Sequence, residues 1–325
     1  MPLIDAIEEA AARRPPDMLV TPLLPSPGLS ALLGCEVLLK AEHLQTTGSF
    51  KYRGAANAIR RLAPERRARG VVTASTGNHG QAVALAGRRA GVPVTVFVAR
   101  DASPAKLAAI RGHGAELRLL DGDSLDAELA ARQTAEASGR VFLSPYNDPD
   151  VIAGQGSVGL ELLQQAPDLD AVFVAVGGGG LIGGIGTALK AHGAKAEVVG
   201  CWPETSPCLL RALEAGHIHT VAEQPTLSDG TAGNLEPGAM TLEICARVID
   251  RRVTVSEPAI RRALWLLAEH DRWMVEGAAA LALAGLLSQA GAMRGRRVAV
   301  VLCGRNITAA KYRAALNAAA ADAGD

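Results

Sequence analysis

The chain has 325 residues, of which 49% are hydrophobic and only 3% aromatic, and it carries 33 basic (Lys+Arg) and 33 acidic (Asp+Glu) residues. This length allows one large or two medium domains with a sizeable buried core. The zero formal net charge argues against nucleic acid or an anionic membrane as the main partner.

Cysteine usage and the apolar segments restrict the class of protein further. The five cysteines are odd in number and scattered, and none forms a Cys-x-x-Cys pair, so neither a disulfide framework nor a zinc site is indicated. Reduced thiols favour a cytoplasmic protein. Residues 1–14 carry acids and predict an amphipathic helix rather than a signal peptide. The most apolar stretch, Ala278 to Leu287, is too short to span a bilayer and predicts a buried core helix.

Strand and helix patterns alternate along the chain, which predicts an α/β fold with largely parallel sheets. The β-rich runs are continuous apolar segments, as expected where helices cover both faces of a sheet. Such runs lie at 37–39, 71–74, 94–98, 116–120, 171–176, 198–201 and 298–303, and helical patterns lie at 54–62, 81–90, 104–112 and 124–138. No long linker is evident, so two domains, if present, must be interleaved.

The first candidate functional residue is Lys51, which lies between the aromatic residues Phe50 and Tyr52. Partly apolar surroundings disfavour the charge of a lysine amine and make it a nucleophile. Such an amine forms a Schiff base with an aldehyde, and pyridoxal phosphate is the common biological aldehyde of this kind. The alternative is an ordinary solvated surface lysine.

The second candidate is the loop Ser75-Thr76-Gly77-Asn78-His79-Gly80, between the strand ending at Ala74 and a helix predicted to start near Gln81. Small residues and a helix N-terminus suit an anion such as a substrate carboxylate. The alternative is an ordinary capped turn between a strand and a helix. His79 could be a metal ligand or a base, but a lone histidine at a helix start is more often packed or capping.

The third candidate is Gly177-Gly178-Gly179-Gly180-Leu181, which follows the strand at 171–176 and precedes a helix around 182–192. Four glycines in a row leave bare N–H groups that suit a phosphate. A merely tight turn is a weak explanation, because each glycine costs backbone entropy.

The same loop supports a nicotinamide enzyme as a remote alternative. Gly178-x-Gly180-x-x-Gly183 matches the dinucleotide fingerprint, and Glu204 lies about twenty residues further on. This alternative explains neither Lys51 nor the loop at Ser75.

The last candidate is Cys303-Gly304-Arg305-Asn306, after the strand that begins at Val298. A thiol at the end of a strand could be a nucleophile, a hydrogen-bond partner or a small packed hydrophobe, and the last of these is the usual case.

Taken together, these motifs resemble those of fold-type II pyridoxal-phosphate enzymes, and within them the serine/threonine dehydratase (ammonia-lyase) and serine racemase group. The resemblance runs from Thr21 to Asn306. The segments that carry it are Ser49-Phe50-Lys51-x-Arg53-Gly54-Ala55, Ser75-x-Gly77-Asn78-His79-Gly80, Ala102-Ser103-Pro104-Ala105-Lys106 and Gly154-Gln155-Gly156-Ser157.

This resemblance implies a role for each motif. Lys51 would hold the cofactor as a Schiff base and later move the α-proton, with Phe50 against one face of the pyridine ring and Asn78 bonded to the ring hydroxyl. The substrate carboxylate would bind at Ser75, Thr76, Gly77, Asn78 and His79, and the phosphate at Gly177, Gly178, Gly179, Gly180 and Leu181. Cys303 would face the pyridine nitrogen. A thiol cannot keep that nitrogen protonated as a carboxylate would, which favours expulsion of a β-leaving group.

Three positions depart from the pattern of the group. Thr76 stands where serine racemases carry the serine that acts as their second base, which favours a lyase. The metal site of the group uses a glutamate and an aspartate, but here Glu204 is followed six residues later by Leu210, so no metal site is expected. Arg305 replaces a small residue; it could bind an anionic substrate group, as in 3-hydroxyaspartate, or form a structural ion pair.

The prediction is therefore a cytoplasmic, pyridoxal-phosphate-dependent dehydratase of a β-hydroxy-α-amino acid, with L-threonine or L-serine as the first choice of substrate. Dehydration of 3-hydroxyaspartate or another bulkier β-hydroxy amino acid, and serine or aspartate racemisation, are the alternatives. The resemblance implies two open, twisted, mostly parallel sheets with the cofactor in the cleft between them. Residues 1–69 and 147–325 would form the large cofactor-binding domain and 70–146 a small mobile domain. It also implies a homodimer or a higher homo-oligomer.

Overall fold

Two β-sheets organise the chain in the computed structural model, which describes residues 1–100, 104–122 and 124–322. In chain order the strands are β1 (Leu23–Pro25), β2 (Glu36–Lys40), β3 (Val71–Ala74), β4 (Val94–Ala99), β5 (Glu116–Leu120), β6 (Val141–Phe142), β7 (Ala171–Ala175), β8 (Glu197–Pro203), β9 (Arg251–Val255) and β10 (Arg297–Val301). The larger sheet has the order β1-β2-β10-β7-β8-β9, and the smaller one β5-β4-β3-β6.

Nearly every strand pair in these sheets is parallel. Only the short edge strand β1 runs antiparallel, against β2, and all pairs of the smaller sheet are parallel. The predicted α/β fold with two mostly parallel sheets is confirmed. The predicted domain division stays a prediction, although all four strands of the smaller sheet lie between residues 71 and 142.

Helices fill most of the connections between strands. They are α1 (Leu3–Ala12), α2 (Pro27–Leu33), α3 (Lys51–Arg61), α4 (Pro64–Arg69), α5 (Asn78–Ala90), α6 (Pro104–Gly112), α7 (Ser124–Ser138), α8 (Pro149–Gln165), α9 (Gly180–Ala191), α10 (Cys208–Ala215), α11 (Thr241–Val248), α12 (Glu257–Asp271), α13 (Gly277–Ser288), α14 (Ala290–Met293) and α15 (Ala309–Asp322), with a 3-10 turn at Glu42–Leu44. Helix α13 is buried from Gly277 to Leu286, which confirms the predicted core helix. None of the helices in the described part of the chain is long and apolar enough to cross a membrane.

Two functional loops are shorter than the sequence suggested, because their helices begin earlier. Helix α3 begins at Lys51 rather than Gly54, since the N–H group of Phe50 bonds to the Cys303 carbonyl at 3.1 Å and the chain turns into the helix directly afterwards. Helix α5 begins at Asn78 rather than near Gln81. Both changes place the candidate residues at helix N-termini, where N–H groups lack intrahelical acceptors.

Glycines bring the backbones of α3, α8 and α9 into close contact. A Cβ atom at Gly54 would lie 2.7 Å from the Val151 carbonyl oxygen, and one at Gly154 would lie 2.3 Å from the Arg53 carbonyl oxygen. A Cβ atom at Gly184 would lie 2.7 Å from the backbone of Gly156. Helix α8 therefore packs closely against both α3, the helix of Lys51, and α9, the helix that follows the glycine loop.

A buried group of four charged side chains lies beneath the N-terminus of α3. Arg53 pairs with Glu42 and Glu161 at 2.7 Å each, and Lys40 pairs with Glu161 at 2.6 Å. The Arg53, Lys40 and Glu42 side chains have no exposed surface. Although burial opposes it, the Arg53 guanidinium lowers the pKa of Glu42 below its ordinary value. Two cations and two carboxylates thus neutralise one another and anchor α3 two residues beyond Lys51.

Candidate active site

Lys51 is the first residue of α3, and its amine contacts the segment that follows β6. Its Nζ donates a hydrogen bond to the Pro145 carbonyl oxygen at 2.8 Å and lies 5.0 Å from the centre of the Phe50 ring. Burial lowers the pKa of Lys51 to about 8, against the opposing charge of Glu276. A larger fraction of this amine than of an ordinary lysine is therefore uncharged near neutral pH and able to act as a nucleophile or base.

The lysine segment lies beside the segment that follows β10. Ser49 and Gly304 form an antiparallel bridge, and Arg305 donates its N–H to the Gly48 carbonyl at 2.9 Å. Cys303 is buried, and burial together with the charge of Glu276 raises the pKa of its thiol well above the ordinary value. The Cys303 thiol is therefore neutral.

The Ser75 loop follows β3 and ends at the first turn of α5. The Ser75 hydroxyl accepts a hydrogen bond from the Gly77 N–H at 3.2 Å. A Cβ atom at Gly80 would lie 2.3 Å from the Ser75 carbonyl oxygen, so only glycine permits this tight entry into the helix. The first N–H groups of α5 lack intrahelical acceptors and suit a carboxylate.

His79 is a packed residue in this structure. Its side chain is 2% exposed, and its Nε2 lies 3.1 Å from the Leu143 carbonyl oxygen. Burial and the nearby Lys51 lower the pKa of His79 to about 3. The neutral imidazole therefore donates from Nε2 to that carbonyl, because a carbonyl only accepts.

The glycine loop forms a concave backbone between β7 and α9. Gly179 has φ +88° and caps α9, which begins at Gly180. Cβ atoms at Gly177, Gly178, Gly179 and Gly180 would lie 2.9, 2.3, 2.7 and 2.7 Å from their nearest neighbours. Any larger residue would collide with these neighbours, so the loop is restricted to glycine and its backbone N–H groups are left without side chains beside them. Leu181, the last residue predicted for the phosphate site, is buried.

Replacement of Gly179 by alanine tests the cradle. The added Cβ atom would lie 2.7 Å from Leu209 at a positive φ, where an L-residue costs about 1–2 kcal/mol. We expect Gly179→Ala to weaken pyridoxal-phosphate binding to the apoenzyme about tenfold or more, because the clash with Leu209 displaces backbone N–H groups of the loop and loss of one hydrogen bond to a charged group costs roughly 1.5–3 kcal/mol. Gly216→Ala is the matched control, because Gly216 also has positive φ but nothing within 4 Å. Equal affinities in the two variants would contradict this role.

Two residues that the sequence did not single out connect Lys51 to the glycine loop. Pro145 accepts the hydrogen bond of Lys51, and the ring of its neighbour Tyr146 is the group nearest to a Cβ atom at Gly178. The Tyr146 hydroxyl in turn accepts a hydrogen bond from the Glu236 N–H at 2.9 Å. The two predicted motifs are thus adjacent.

Glu276, which the sequence analysis did not single out, connects the Ser75 loop to the segment after β10. Glu276 accepts a hydrogen bond from Asn78 Nδ2 at 2.8 Å and another from the Asn306 N–H at 3.0 Å. It is 4% exposed, and burial followed by the charge of Asp229 raises its pKa to about 7. Its only signal in the sequence is its position directly before the apolar helix α13.

Two further residues that the sequence analysis singled out are Arg305 and Thr76. Arg305 is exposed, and its side chain passes within 3.2 Å of a Cβ position at Gly48. Thr76 is half-buried in the Ser75 loop.

At the two positions that form the metal site of the group, Leu210 packs in the core and Glu204 is exposed. In the described ranges no three His, Cys, Asp or Glu side chains group as metal ligands. Ala102 and Ser103, part of one predicted family segment, lie outside the described residues.

Comparison with known proteins gives the class of this chain. Residues 16–304 match the family described as pyridoxal-phosphate dependent enzyme. An L-threonine ammonia-lyase of Thermotoga maritima is 43% identical over 88% of this chain and 71% of its own length. An L-threo-3-hydroxyaspartate ammonia-lyase of Saccharomyces cerevisiae is 36% identical over 90% of this chain and 89% of its own. The processed form of threonine deaminase isoform 2 from Solanum lycopersicum superposes with a TM-score of 0.91 at 31% identity, covering 97% of this chain and 92% of that one.

The chain therefore belongs to the family of pyridoxal-phosphate-dependent enzymes. The predicted membership of the serine/threonine dehydratase group, the ammonia-lyase class and the cofactor are confirmed. The family explains the glycine loop without the nicotinamide alternative. An amino acid is the substrate class that this membership implies, and the cytoplasmic location and the homodimer stay predictions.

The residues present fit this cofactor. An aldehyde needs a lysine with an uncharged amine, and the pKa of Lys51 is lowered to about 8. A phosphate needs backbone N–H groups, and the glycine loop brings four of them together at the start of α9, where close packing excludes any Cβ atom. A ring hydroxyl needs a donor, and the amide of Asn78 is held nearby by Glu276.

Proposed function

We propose that this enzyme converts a β-hydroxy-α-amino acid to a 2-oxo acid and ammonia by β-elimination of water followed by hydrolysis, with L-threonine or L-serine as its substrate. The observation that carries the proposal is the buried Lys51 amine, whose pKa of about 8 makes it a competent base near neutral pH. The 43% identity to an L-threonine ammonia-lyase supports this choice of substrate.

The proposal gives each motif a defined role. Lys51 binds the cofactor, and its freed amine takes the α-proton of the substrate. The loop from Ser75 to His79 holds the substrate carboxylate at the start of α5, and the glycines from Gly177 to Gly180, with Leu181, hold the phosphate. Phe50 and Asn78 orient the ring, and Cys303 lies at its nitrogen.

When bound, pyridoxal phosphate supplies an aldehyde that joins the substrate amine and a ring that withdraws electrons from Cα. The Lys51 amine would take the Cα proton, and the Cα–H electron pair would form a double bond to Cβ as the Cβ–O bond breaks. The hydroxyl would leave as water with the proton that Lys51 took, and the returning Lys51 amine would release the product nitrogen. The released enamine tautomerises, and water then replaces its nitrogen. The sum is one 2-oxo acid and one ammonia for each amino acid, with the water molecule returned.

The neutral Cys303 thiol favours this outcome over other reactions of amino acids. Burial keeps the pKa of the thiol well above its ordinary value, so no negative charge at this position holds a proton on the pyridine nitrogen. Charge at Cα is then less delocalised and more readily expels the β-hydroxyl. Thr76, in place of the serine of racemases, supports elimination rather than racemisation.

Dehydration of 3-hydroxyaspartate is the second candidate, and Arg305 favours it. This exposed guanidinium follows Cys303 and Gly304 directly, and a relative 36% identical is named for that substrate. A guanidinium that pairs with a second carboxylate gives a charge-assisted hydrogen bond.

A substrate panel separates the two candidates. We expect ammonia release from L-threonine or L-serine, and Arg305→Ala to change kcat/KM for these neutral substrates less than about threefold. If Arg305 binds a β-carboxylate, the variant should lose about 10- to 100-fold in kcat/KM with L-threo-3-hydroxyaspartate alone, as for other hydrogen bonds to charged groups. Arg252→Ala, which removes an exposed arginine of β9, is the control. Equal losses for acidic and neutral substrates would refute recognition by Arg305, and loss of optical activity without ammonia would point to a racemase.

A further inference from the structure

Glu276 uses its carboxylate in an unusual way for its position. It is the N-cap residue of α13, yet its side chain makes no capping bond to that helix. Both oxygens instead point away, one to Asn78 Nδ2 at 2.8 Å and the other to the Asn306 N–H at 3.0 Å. Burying a carboxylate costs free energy, and Glu276 does not recover it by capping α13. Its hydrogen bonds to Asn78 and Asn306 supply the compensation.

The segment after β10 leaves room for this carboxylate at Gly304. A Cβ atom at Gly304 would lie 2.4 Å from Glu276 Oε1, so the glycine between Cys303 and Arg305 is required by the glutamate. The Glu276 N–H also donates to the Gly304 carbonyl at 3.1 Å. The carboxylate is thus held in one orientation by the segment after β10.

Glu276, Asn78 and Asn306 form a closed ring of hydrogen bonds that fixes the Asn78 amide, and the backbone N–H of Asn306 completes it. Asn78 Nδ2 donates to Glu276, and Asn78 Oδ1 accepts from Asn306 Nδ2. Asn306 Nδ2 also donates to the Thr47 carbonyl at 3.0 Å. An amide rotated by 180° would place Nδ2 against another donor and Oδ1 against a carboxylate, so only one orientation satisfies the ring.

We propose that Glu276 is a positioning residue for the cofactor, acting through Asn78. The carboxylate uses one hydrogen of Asn78 Nδ2 and leaves the second to donate to the ring hydroxyl of pyridoxal phosphate. This inference rests on the part of the proposed function in which Asn78 faces that hydroxyl. The ring also joins α5, which follows a strand of the smaller sheet, to α13 and the end of β10 in the larger one, so it holds Asn78 from across the cleft.

A double-mutant cycle on cofactor binding tests the proposal without any turnover. The affinity of the apoenzyme for pyridoxal phosphate and the visible absorption maximum of the bound cofactor are measured in wild type, Glu276→Ala, Asn78→Ala and the double variant. We expect each single variant to bind about tenfold more weakly, as for loss of one hydrogen bond to a charged group, and to shift the absorption maximum. The double variant should be no weaker than Asn78→Ala alone, because Glu276 acts through Asn78.

Two further variants keep this experiment decisive. Glu276→Gln retains one acceptor oxygen for Asn78, although its NH2 group then faces the Asn306 N–H. Its loss of affinity should therefore be smaller than that of Glu276→Ala, and a loss equal to that of Glu276→Ala would overturn the proposal. Asp250→Asn is the matched control, because the Asp250 carboxylate also accepts a backbone N–H, from Val198 at 2.7 Å, but at the start of β8. Additive losses in the double variant, or unchanged affinity and absorption in Glu276→Ala, would equally overturn it. Failure of ammonia release with the coupling intact would instead contradict only the proposed reaction.

Discussion

Replacing Lys51 by alanine should reduce ammonia release about 10³-fold or more, since a positioned base alone contributes about 10²- to 10⁴-fold. The variant loses both the covalent attachment of the cofactor and the base that takes the α-proton. Its purified form should also lack the visible absorption of a cofactor bound through a Schiff base. Activity with a substrate panel and the absorption spectrum after addition of pyridoxal phosphate measure the two losses separately.

The Lys51→Ala variant should still fold, so its loss of activity can be attributed to the missing amine and not to unfolding. Burial lowers the pKa of Lys51 to about 8, so at pH 7 the folded protein holds a charged amine that it disfavours. Removing that amine should not lower the melting temperature of the apoenzyme. Lys190→Ala is the control, because Lys190 lies at the far end of α9 in an ion pair with Asp250. Normal activity in Lys51→Ala, or a normal visible band, would contradict the assignment.

Replacing Arg53 by methionine should lower the free energy of unfolding by about 3–5 kcal/mol, as for other buried ion pairs that lose one partner. The change leaves Glu42 and part of Glu161 as buried carboxylates without their cation. Urea unfolding of the apoenzyme at pH 7, followed by far-ultraviolet circular dichroism, measures the loss.

The same helix supplies the control for this prediction. Arg61 pairs with Asp150 at 2.7 Å and also with Glu9, but its side chain is 26% exposed. Exposed pairs contribute about 0–1 kcal/mol, so Arg61→Met should change stability by no more than that. Comparable losses in the two variants would show that the buried charges do not anchor α3.

The sequence predicted those parts of the fold and site that local patterns encode. Continuous apolar runs predicted the parallel strands, and the four glycines from Gly177 predicted an open backbone at the end of β7. Lys51 could be identified because its neighbours are aromatic and its motif is specific. These features depend on residues close together in the chain.

The features that the sequence did not predict are contacts between distant residues. Asn78 and Glu276 are 198 positions apart, Arg53 and Glu161 are 108 apart, and Lys51 and Pro145 are 94 apart. No periodicity links such pairs, and Glu276 has no motif of its own. Arg53 belonged to the lysine motif, but only the fold shows that it is a buried anchor for the helix. The early start of α3 likewise depends on Cys303, at the other end of the chain.

The most direct test of the account is the stoichiometry of the products formed from L-threonine and L-serine by the holoenzyme. Ammonia and 2-oxo acid are assayed in the same reaction, with Lys51→Ala as the inactive control. We predict equal amounts of the two products from at least one of these substrates and neither product from the variant. A holoenzyme that carries pyridoxal phosphate but releases no ammonia from L-threonine, L-serine or 3-hydroxyaspartate would contradict the proposed reaction.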